Sequence, residues 1–334
     1  MPERLAALKT WIGETLSLGD FTIEAASGDA SFRRYFRLTL ADTRTFIAMD
    51  APPEKEDCHP FVAIADTFSS LGLHVPKIDA ADLEQGFLLL EDLGSTHYLD
   101  RLDGDSADRL YADALSALAV IQACGPQQEL PSYDAAMLQR EMALFPEWLL
   151  QQQLEILLNE SELEQLGDTF QLLADNALAQ PQVCVHRDYH SRNLLLTHSP
   201  NPGIIDFQDA VVGPVTYDLV SLLRDCYISW PLERVRGWAM GYFELALQSG
   251  ILRGEHEALF LRWFDLMGVQ RHLKAAGIFA RLNIRDGKPG YLADIPRTLG
   301  YIVEVAADYP ELSFLGGLIE ERVLPALSES TKDL

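Results

Sequence analysis

Long apolar runs are what this chain most plainly lacks. No stretch approaches the roughly 18 consecutive apolar residues of a membrane-spanning helix. The opening MPERLAALKTWIGETLSLGD reads as a short amphipathic helix with charges at both ends, without the uninterrupted apolar region of a signal peptide. Cysteine is scarce too. Cys58, Cys124, Cys184 and Cys226 lie far apart and form no C-x-x-C pair, which argues against a disulfide framework or a zinc knuckle and for reduced thiols. Positive charge is in deficit, with 26 Lys and Arg against 50 Asp and Glu and a formal net charge of -24. Such a surface repels nucleic acid and anionic membrane, and no long basic stripe offsets it. Internal repeats and low-complexity tracts are missing as well. What is there is a chain of 334 residues, 48% hydrophobic, ample for a large core and long enough for two or more lobes. A cytoplasmic protein is expected, with no nucleic acid, no membrane and no obligate protein partner.

The apolar pattern changes along the chain. FTIEAA, FRRYFRLTL and TRTFIAMD, within residues 21–50, are short runs rich in β-branched and aromatic residues. Turn-like Ser27-Gly28-Asp29 and Ala41-Asp42 separate them, and the close spacing predicts an antiparallel meander. The proline-rich loop DAPPEKEDCHP leads into a helix over about 60–71 that stops at Gly72. GFLLLEDLG, residues 86–94, reads as a buried strand running into an acidic turn. From about residue 105 the period turns helical, through 123 and then over 135–158 and 161–179. A small β segment at 183–207 intervenes, and helices resume over 216–229, 231–249, 255–276 and 296–327. This is an α+β, bilobal architecture: a small β-rich N-lobe, residues 1–91, and a large helical C-lobe, residues 92–334, with a hinge at Glu91–Gly94. A cleft between two lobes is a common place for a ligand.

Within the β segment, VHRDYHSRNLLL (185–196) leaves an apolar strand and returns to one, carrying polar groups that need partners or a task. Asp188 and Asn193 are five apart, and Asp206 ends the apolar run of GIIDFQDA. A hairpin turning at Asn201-Pro202-Gly203 would bring Asn193 and Asp206 together, with Asp188 beside them. Phosphoryl transfer needs this set: one carboxylate to take a hydroxyl proton, and an amide with a second carboxylate to hold Mg²⁺. Each part alone is common. H-x-D-x-x-x-x-N followed by an apolar strand and D-F-x, in that order, is a specific signal. His186, Asp188 and His190 also read as an H-x-D-x-H metal cluster of a hydrolase, which would leave Asn193 and Asp206 unexplained. Asp218, on an otherwise apolar helix start, reads as an anchor for the loop. Asp209 is a substrate contact or a turn residue. Phe145 and Trp148 in EMALFPEWLL are core residues at helical spacing or, alternatively, part of a substrate site.

At these residues the chain resembles the protein-kinase-like superfamily, in its aminoglycoside phosphotransferase and choline kinase branch. His186-Arg187-Asp188 and Asn193 match the catalytic loop, and Asp206-Phe207-Gln208 stands for Asp-Phe-Gly. GPVTYDLVSLLRD (213–225) matches the following helix opening and EDLG (91–94) the hinge, so the resemblance spans most of the chain. It implies a bilobal protein-kinase-like fold, ATP and Mg²⁺ as cofactors, Asp188 as the base, and Asn193 and Asp206 as metal ligands. It also implies that the backbone from Glu91 to Leu93 meets adenine while the Glu91 and Asp92 side chains sit in solvent. GDASFRRYFRL, MDAPPEKED and HLKAAGIFARLNIRDGKPGYL are more closely similar to the bacterial kinases that phosphorylate N-acetylmuramate and N-acetylglucosamine at the anomeric hydroxyl in cell-wall recycling.

Two positions depart from the broader pattern. The strand FIAM should end in the lysine that grips the α- and β-phosphates, and Met49 stands there. SGDASFRRYFR lacks G-x-G-x-x-G and with one glycine cannot wrap phosphates in the usual way; Gly28, Asp29 and Arg33 are candidate nucleotide-binding residues, with one of Arg33, Arg34 and Arg37 replacing the missing charge. Strand alternation puts Arg33 and Arg37 on one face and Arg34 on the other, unless all three are only a solvated face. Residues 261–300 hold seven Lys and Arg against three acids, a local excess of positive charge in an acidic chain. A choline or aminoglycoside pocket would need acids or an aromatic cage instead. Arg271 and Lys274, three apart on one helix, share a face and are candidates to read the lactyl carboxylate of N-acetylmuramate. Surface pairing with nearby acids is the alternative. A kinase for another small hydroxylated metabolite and a non-catalytic nucleotide-binding pseudokinase are the competing readings of the whole chain, the second opposed by the intact Asp188, Asn193 and Asp206.

Overall fold

The computed structural model describes residues 2–15, 19–27 and 32–330. The chain forms two compact units, one of Met1–Arg101 with Asn193–Asp209 and one of Leu102–Arg192 with Ala210–Leu334. A single division at residue 91 therefore does not describe the molecule. The segment carrying Asn193 and Asp206, which that division assigned to the helical lobe, belongs to the β-rich unit. Backbone bonds hold it there: Ile204 N–H donates to His74 O at 2.7 Å and Leu196 N–H to Thr96 O at 2.8 Å.

The first unit is an antiparallel sheet of five strands in the order β1-β2-β3-β5-β4. The expected meander supplies β1 (Phe21–Ser27), β2 (Arg34–Leu40) and β3 (Thr45–Asp50), and GFLLLEDLG supplies β5 (Phe87–Glu91) at the centre. The edge strand β4 (Ile78–Asp82) was not apparent in the sequence, because IDAAD has one β-branched residue and gains its extended form from pairing with β5. Alternation sends Leu38, Ala48, Phe87 and Leu89 to one face, where they pack with Leu8, Trp11 and Ile12 of the N-terminal helical segment opened by α1 (Pro2–Thr10). Met49 points to the other face and is fully buried, in register with Tyr35 and Leu88. α2 (His59–Ser70) ends before Gly72, whose φ of 81° is the left-handed conformation glycine takes readily at a helix terminus.

The second unit is helical. α3 (Ala107–Cys124) is followed by α4 (Ala135–Met142), which starts at Asp134, whose carboxylate accepts Met137 N–H at 2.8 Å. The helix expected over 135–158 does not continue as one, since Pro146 lacks an N–H to donate and Phe145–Gln153 opens into a π-helical segment. α5 (Glu160–Leu178) begins with a capping box between Asn159 and Glu162. The strand Gln182–Val185 then pairs antiparallel with Val211–Pro214. α6 (Tyr217–Leu223), α7 (Leu232–Gln248), α8 (Glu257–Asp286) and α9 (Ile295–Asp308) follow, with short helical segments to Ser330. α8 runs ten residues beyond its expected end. Gly277 is not a stop: a Cβ there would lie 2.4 Å from the Leu144 carbonyl carbon, so glycine lets the α8 backbone pack directly on that turn. No described helix is long and apolar enough to cross a membrane.

Candidate active site

In the first unit, Asn193 and Asp206 meet. The strands Leu194–Leu195 and Gly203–Ile204 form the expected hairpin, and Ile205 N–H donates to Asn193 O at 3.1 Å. Asp206 has φ 66°, a conformation that strains a non-glycine residue by about 1–3 kcal/mol. Phe207 secures it, buried against Phe61 and Phe68 of α2 with ring centroids 4.9 and 5.8 Å away. The Asn193 Nδ2 donates to Asp206 Oδ2 at 3.2 Å and Gln208 Nε2 to Asp206 Oδ1 at 2.8 Å. Gln208, which replaces glycine in the D-F-x motif, orients the carboxylate through its amide. An amide oxygen and a carboxylate are hard donors. They suit Mg²⁺, which keeps waters and takes one or two carboxylates with the phosphates of a nucleotide.

The three arginines of the β1–β2 region have different surroundings. Arg34 lies opposite Asp50 in the β2–β3 register and pairs with its buried carboxylate, which also accepts Arg4 Nε at 2.9 Å. Arg37 makes a bidentate pair with Asp92 at 2.7 and 3.0 Å and reaches Gly94 O at 3.1 Å. Asp92 is therefore not in solvent as expected. Burial pushes its carboxyl up, but Arg37 and the Gly94 N–H outweigh this and hold it below the usual range. Arg33 pairs with Glu56 at 3.0 Å, and its guanidinium also feels the Asp209 and Asp206 carboxylates. Of the three, Arg33 is the one tied electrostatically to the Asn193–Asp206 end. Glu91 is exposed, its N–H donating to Lys77 O at 2.8 Å, and Leu93 is buried just beyond β5. Asp209 sits exposed in a turn, its carboxylate accepting weakly from Gln208 at 3.4 Å. Gly28 and Asp29 lie outside the described residues.

In the second unit, the loop carrying Asp188 is fixed from beneath. Fully buried Asp218 accepts His186 N–H at 2.6 Å and Arg187 N–H at 2.9 Å, and so stabilises Arg187 at φ 77°. Burial pushes the Asp218 carboxyl up to about 7, although the two N–H groups pull the other way. Asp225 accepts Ser191 N–H at 2.9 Å, Ser191 Oγ–H at 2.5 Å and Tyr227 N–H at 3.0 Å. Tyr189 O–H donates to Ala114 O at 2.8 Å. The buried His186 ring accepts Asp188 N–H through Nδ1 at 3.3 Å, so it shapes the loop from inside, and among the described residues no three His, Cys, Asp or Glu side chains gather to hold a metal.

Asp188 lines a cavity of about 160 Å³, together with Tyr217, Cys226, Arg271, Lys274 and Phe279. The two basic residues singled out on α8 thus stand with Asp188. Burial would raise the Asp188 carboxyl, but the positive field of Lys274, His190, Arg271 and Arg187 prevails and holds it below its ordinary value. Glu141 of α4 organises this field. Lys274 Nζ lies 3.1 Å from its Oε1, while Arg187 and the Tyr133 O–H also bond it. Sequence reasoning missed Glu141. The only signal was a carboxylate on the apolar stripe of Leu138, Met142 and Phe145. Trp148 is half-buried and is not part of the cavity wall. Other basics of the 261–300 stretch pair elsewhere, Arg262 with Glu311, Arg285 with Asp286 and Arg297 with Asp294.

An ionised carboxylate among cations, and a separate oxygen-donor pair on a strained turn, define a class. The phosphotransferase enzyme family matches residues 22–259, and the chain belongs to it. More particularly, it is 51% identical to the N-acetylmuramate/N-acetylglucosamine kinase of Pseudomonas putida, covering 96% of this chain and 98% of that protein. It is 50% identical to the protein of the same name from Pseudomonas aeruginosa, covering 88% and 86% respectively. Among solved structures, choline kinase LicA from Streptococcus pneumoniae superposes with a TM-score of 0.61 over 90% of this chain and 99% of that one, at 14% identity, a likeness of fold alone.

Proposed function

We propose that this phosphotransferase moves the γ-phosphoryl group of ATP to the anomeric hydroxyl of N-acetylmuramate and N-acetylglucosamine, as a cytoplasmic enzyme of peptidoglycan recycling. The observation that carries this reading is the cation-rich cavity around Asp188, which suits a neutral or acidic acceptor and disfavours choline or an aminoglycoside. The two relatives named for these sugars, similar over most of their length, support it.

Asp188 orients the acceptor hydroxyl and takes its proton. An anomeric hydroxyl is more acidic than an ordinary alcohol, so a carboxylate held below its usual pKa suffices. Asn193 and Asp206 would hold Mg²⁺, with Gln208 fixing the carboxylate between them. Bound Mg²⁺ supplies neutralisation of charge on the phosphoryl oxygens. Arg33 takes the place of the lysine absent at Met49, and Glu56 keeps its guanidinium in position. Gly28 and Asp29 belong to the nucleotide-binding set, and the backbone from Glu91 to Leu93 meets adenine. ADP release measured over a panel of amino sugars, choline and aminoglycosides, with phosphorus NMR of the product, tests the reading. Turnover of both sugars to an anomeric phosphate is expected. Preference for choline or an aminoglycoside would overturn it.

A further inference from the structure

Arg271 and Lys274 share one face of α8, yet their surroundings differ. Lys274 is committed within the protein: its Nζ lies 3.1 Å from Glu141 Oε1 and donates to Tyr217 Oη at 3.0 Å. Arg271 is as deeply buried, 6% exposed, but the one hydrogen bond its guanidinium makes to a described residue is to the Cys226 thiol, 3.6 Å from Nη1. Sulfur is a weak acceptor. The buried Arg271 Nε finds no partner among the described residues. The carboxylate of Asp225 influences Arg271 only through space, its oxygens being taken by Ser191 and Tyr227. A desolvated guanidinium with unmatched N–H groups is unfavourable unless an anion or carbonyl completes it. Both residues line the cavity with Asp188, and further along the same helical stripe the wall becomes apolar at Ile278 and Leu282. The polar end of the cavity is thus the end that carries Asp188, Arg271 and Lys274.

Resting on the proposed substrate class, we infer that Arg271, and not Lys274, is the specificity residue that binds the carboxylate of an acidic amino sugar. An ether-linked carboxylate close to the reacting hydroxyl would reach Arg271 while that hydroxyl lies at Asp188, and a planar guanidinium fork matches a carboxylate in two bonds. Lys274 instead neutralises Glu141, beside Arg187, and serves both sugars alike by keeping the loop charge balanced.

The test is kcat/KM for N-acetylmuramate and N-acetylglucosamine in wild type, Arg271→Ala, Arg271→Lys and Lys274→Met, with thermal melts of each. Arg271→Ala should lower the value for the acidic sugar roughly 10- to 150-fold further than for the neutral one. Arg271→Lys, which keeps the charge but loses the fork, should fall between, and it remains informative if the alanine variant melts. Added guanidinium salt should restore Arg271→Ala toward the acidic sugar selectively. Lys274→Met should lower both by a similar factor. Equal losses in both Arg271 variants, or a selective loss in Lys274→Met, would overturn the assignment. A wild-type enzyme that turns over neither sugar would remove the substrate reading and this inference with it, whereas wild-type turnover with equal variant losses removes the inference alone.

Discussion

In the first unit Arg34 and Arg37 each close on a buried carboxylate, Asp50 and Asp92. In the second, Arg187 and Lys274 share a single carboxylate, Glu141, and among the described residues Arg271 pairs with none. The same residue types thus do different work. Balanced pairs across a sheet fix strand ends and the turn after β5. An excess of cations around a cavity holds a carboxylate ionised and leaves positive potential for a ligand. Sequence proximity conceals the difference, since all these arginines look alike until their carboxylates are located.

The largest effect should come from removing the anion at the centre of the cationic region. Asp188→Asn is expected to lower kcat by about 10²- to 10⁴-fold, with nucleotide binding retained in a calorimetric titration. Near wild-type turnover by a folded variant would mean that the cations serve something other than a base.

Next come the arginines of the sheet. Arg33→Ala should raise the KM for ATP roughly tenfold or more, the value of a charge-assisted bond. Arg37→Ala should act on stability instead. It leaves Asp92 buried without its guanidinium, at about 1–3 kcal/mol, below a fully buried pair because Arg37 keeps solvent contact. Equal KM effects across Arg33, Arg34 and Arg37 would erase the distinction between scaffold and phosphate arginines.

The smallest effect concerns pH. Asp218 titrates near 7 in the fold and has an ordinary value of 3.8, so the folded state holds its proton more tightly. Its contribution to stability is complete below 3.8, declines as pH rises, and is gone once pH has passed about 7. Melting temperatures across pH 4 to 8 should show this slope in wild type and a flatter profile in Asp218→Asn. Identical slopes would assign the pH dependence to other groups.

Much of this was legible in the sequence. Local alternation marked β1, β2, β3 and β5, and the turn at Asn201-Pro202-Gly203 marked the hairpin that brings Asn193 to Asp206. What stayed hidden depends on distant partners. Glu141 lies 46 positions from Arg187, and no local pattern links them. The helix expected over 255–276 continues through Gly277 because the space that glycine preserves is against Leu144, far away in sequence. The arginines could be sorted by strand face, but not by which carboxylate each would meet. The division at residue 91 failed for the same reason, since pairing with His74 and Thr96 sets the allegiance of the hairpin.

That pairing has a practical meaning for anyone who would dissect the molecule. A fragment ending at Arg101 would contain the whole five-stranded sheet, and it would still be incomplete. It would lack Asn193, Asp206 and the Phe207 ring that sits against Phe61 and Phe68. Apolar surface of α2 would be left bare, and the His74 and Thr96 carbonyls would lose their donors. The β-rich unit is discontinuous in the chain, so one cut cannot release it intact. A faithful isolated version would need residues 193–209 spliced back through a linker, or a circular permutation that opens the chain elsewhere.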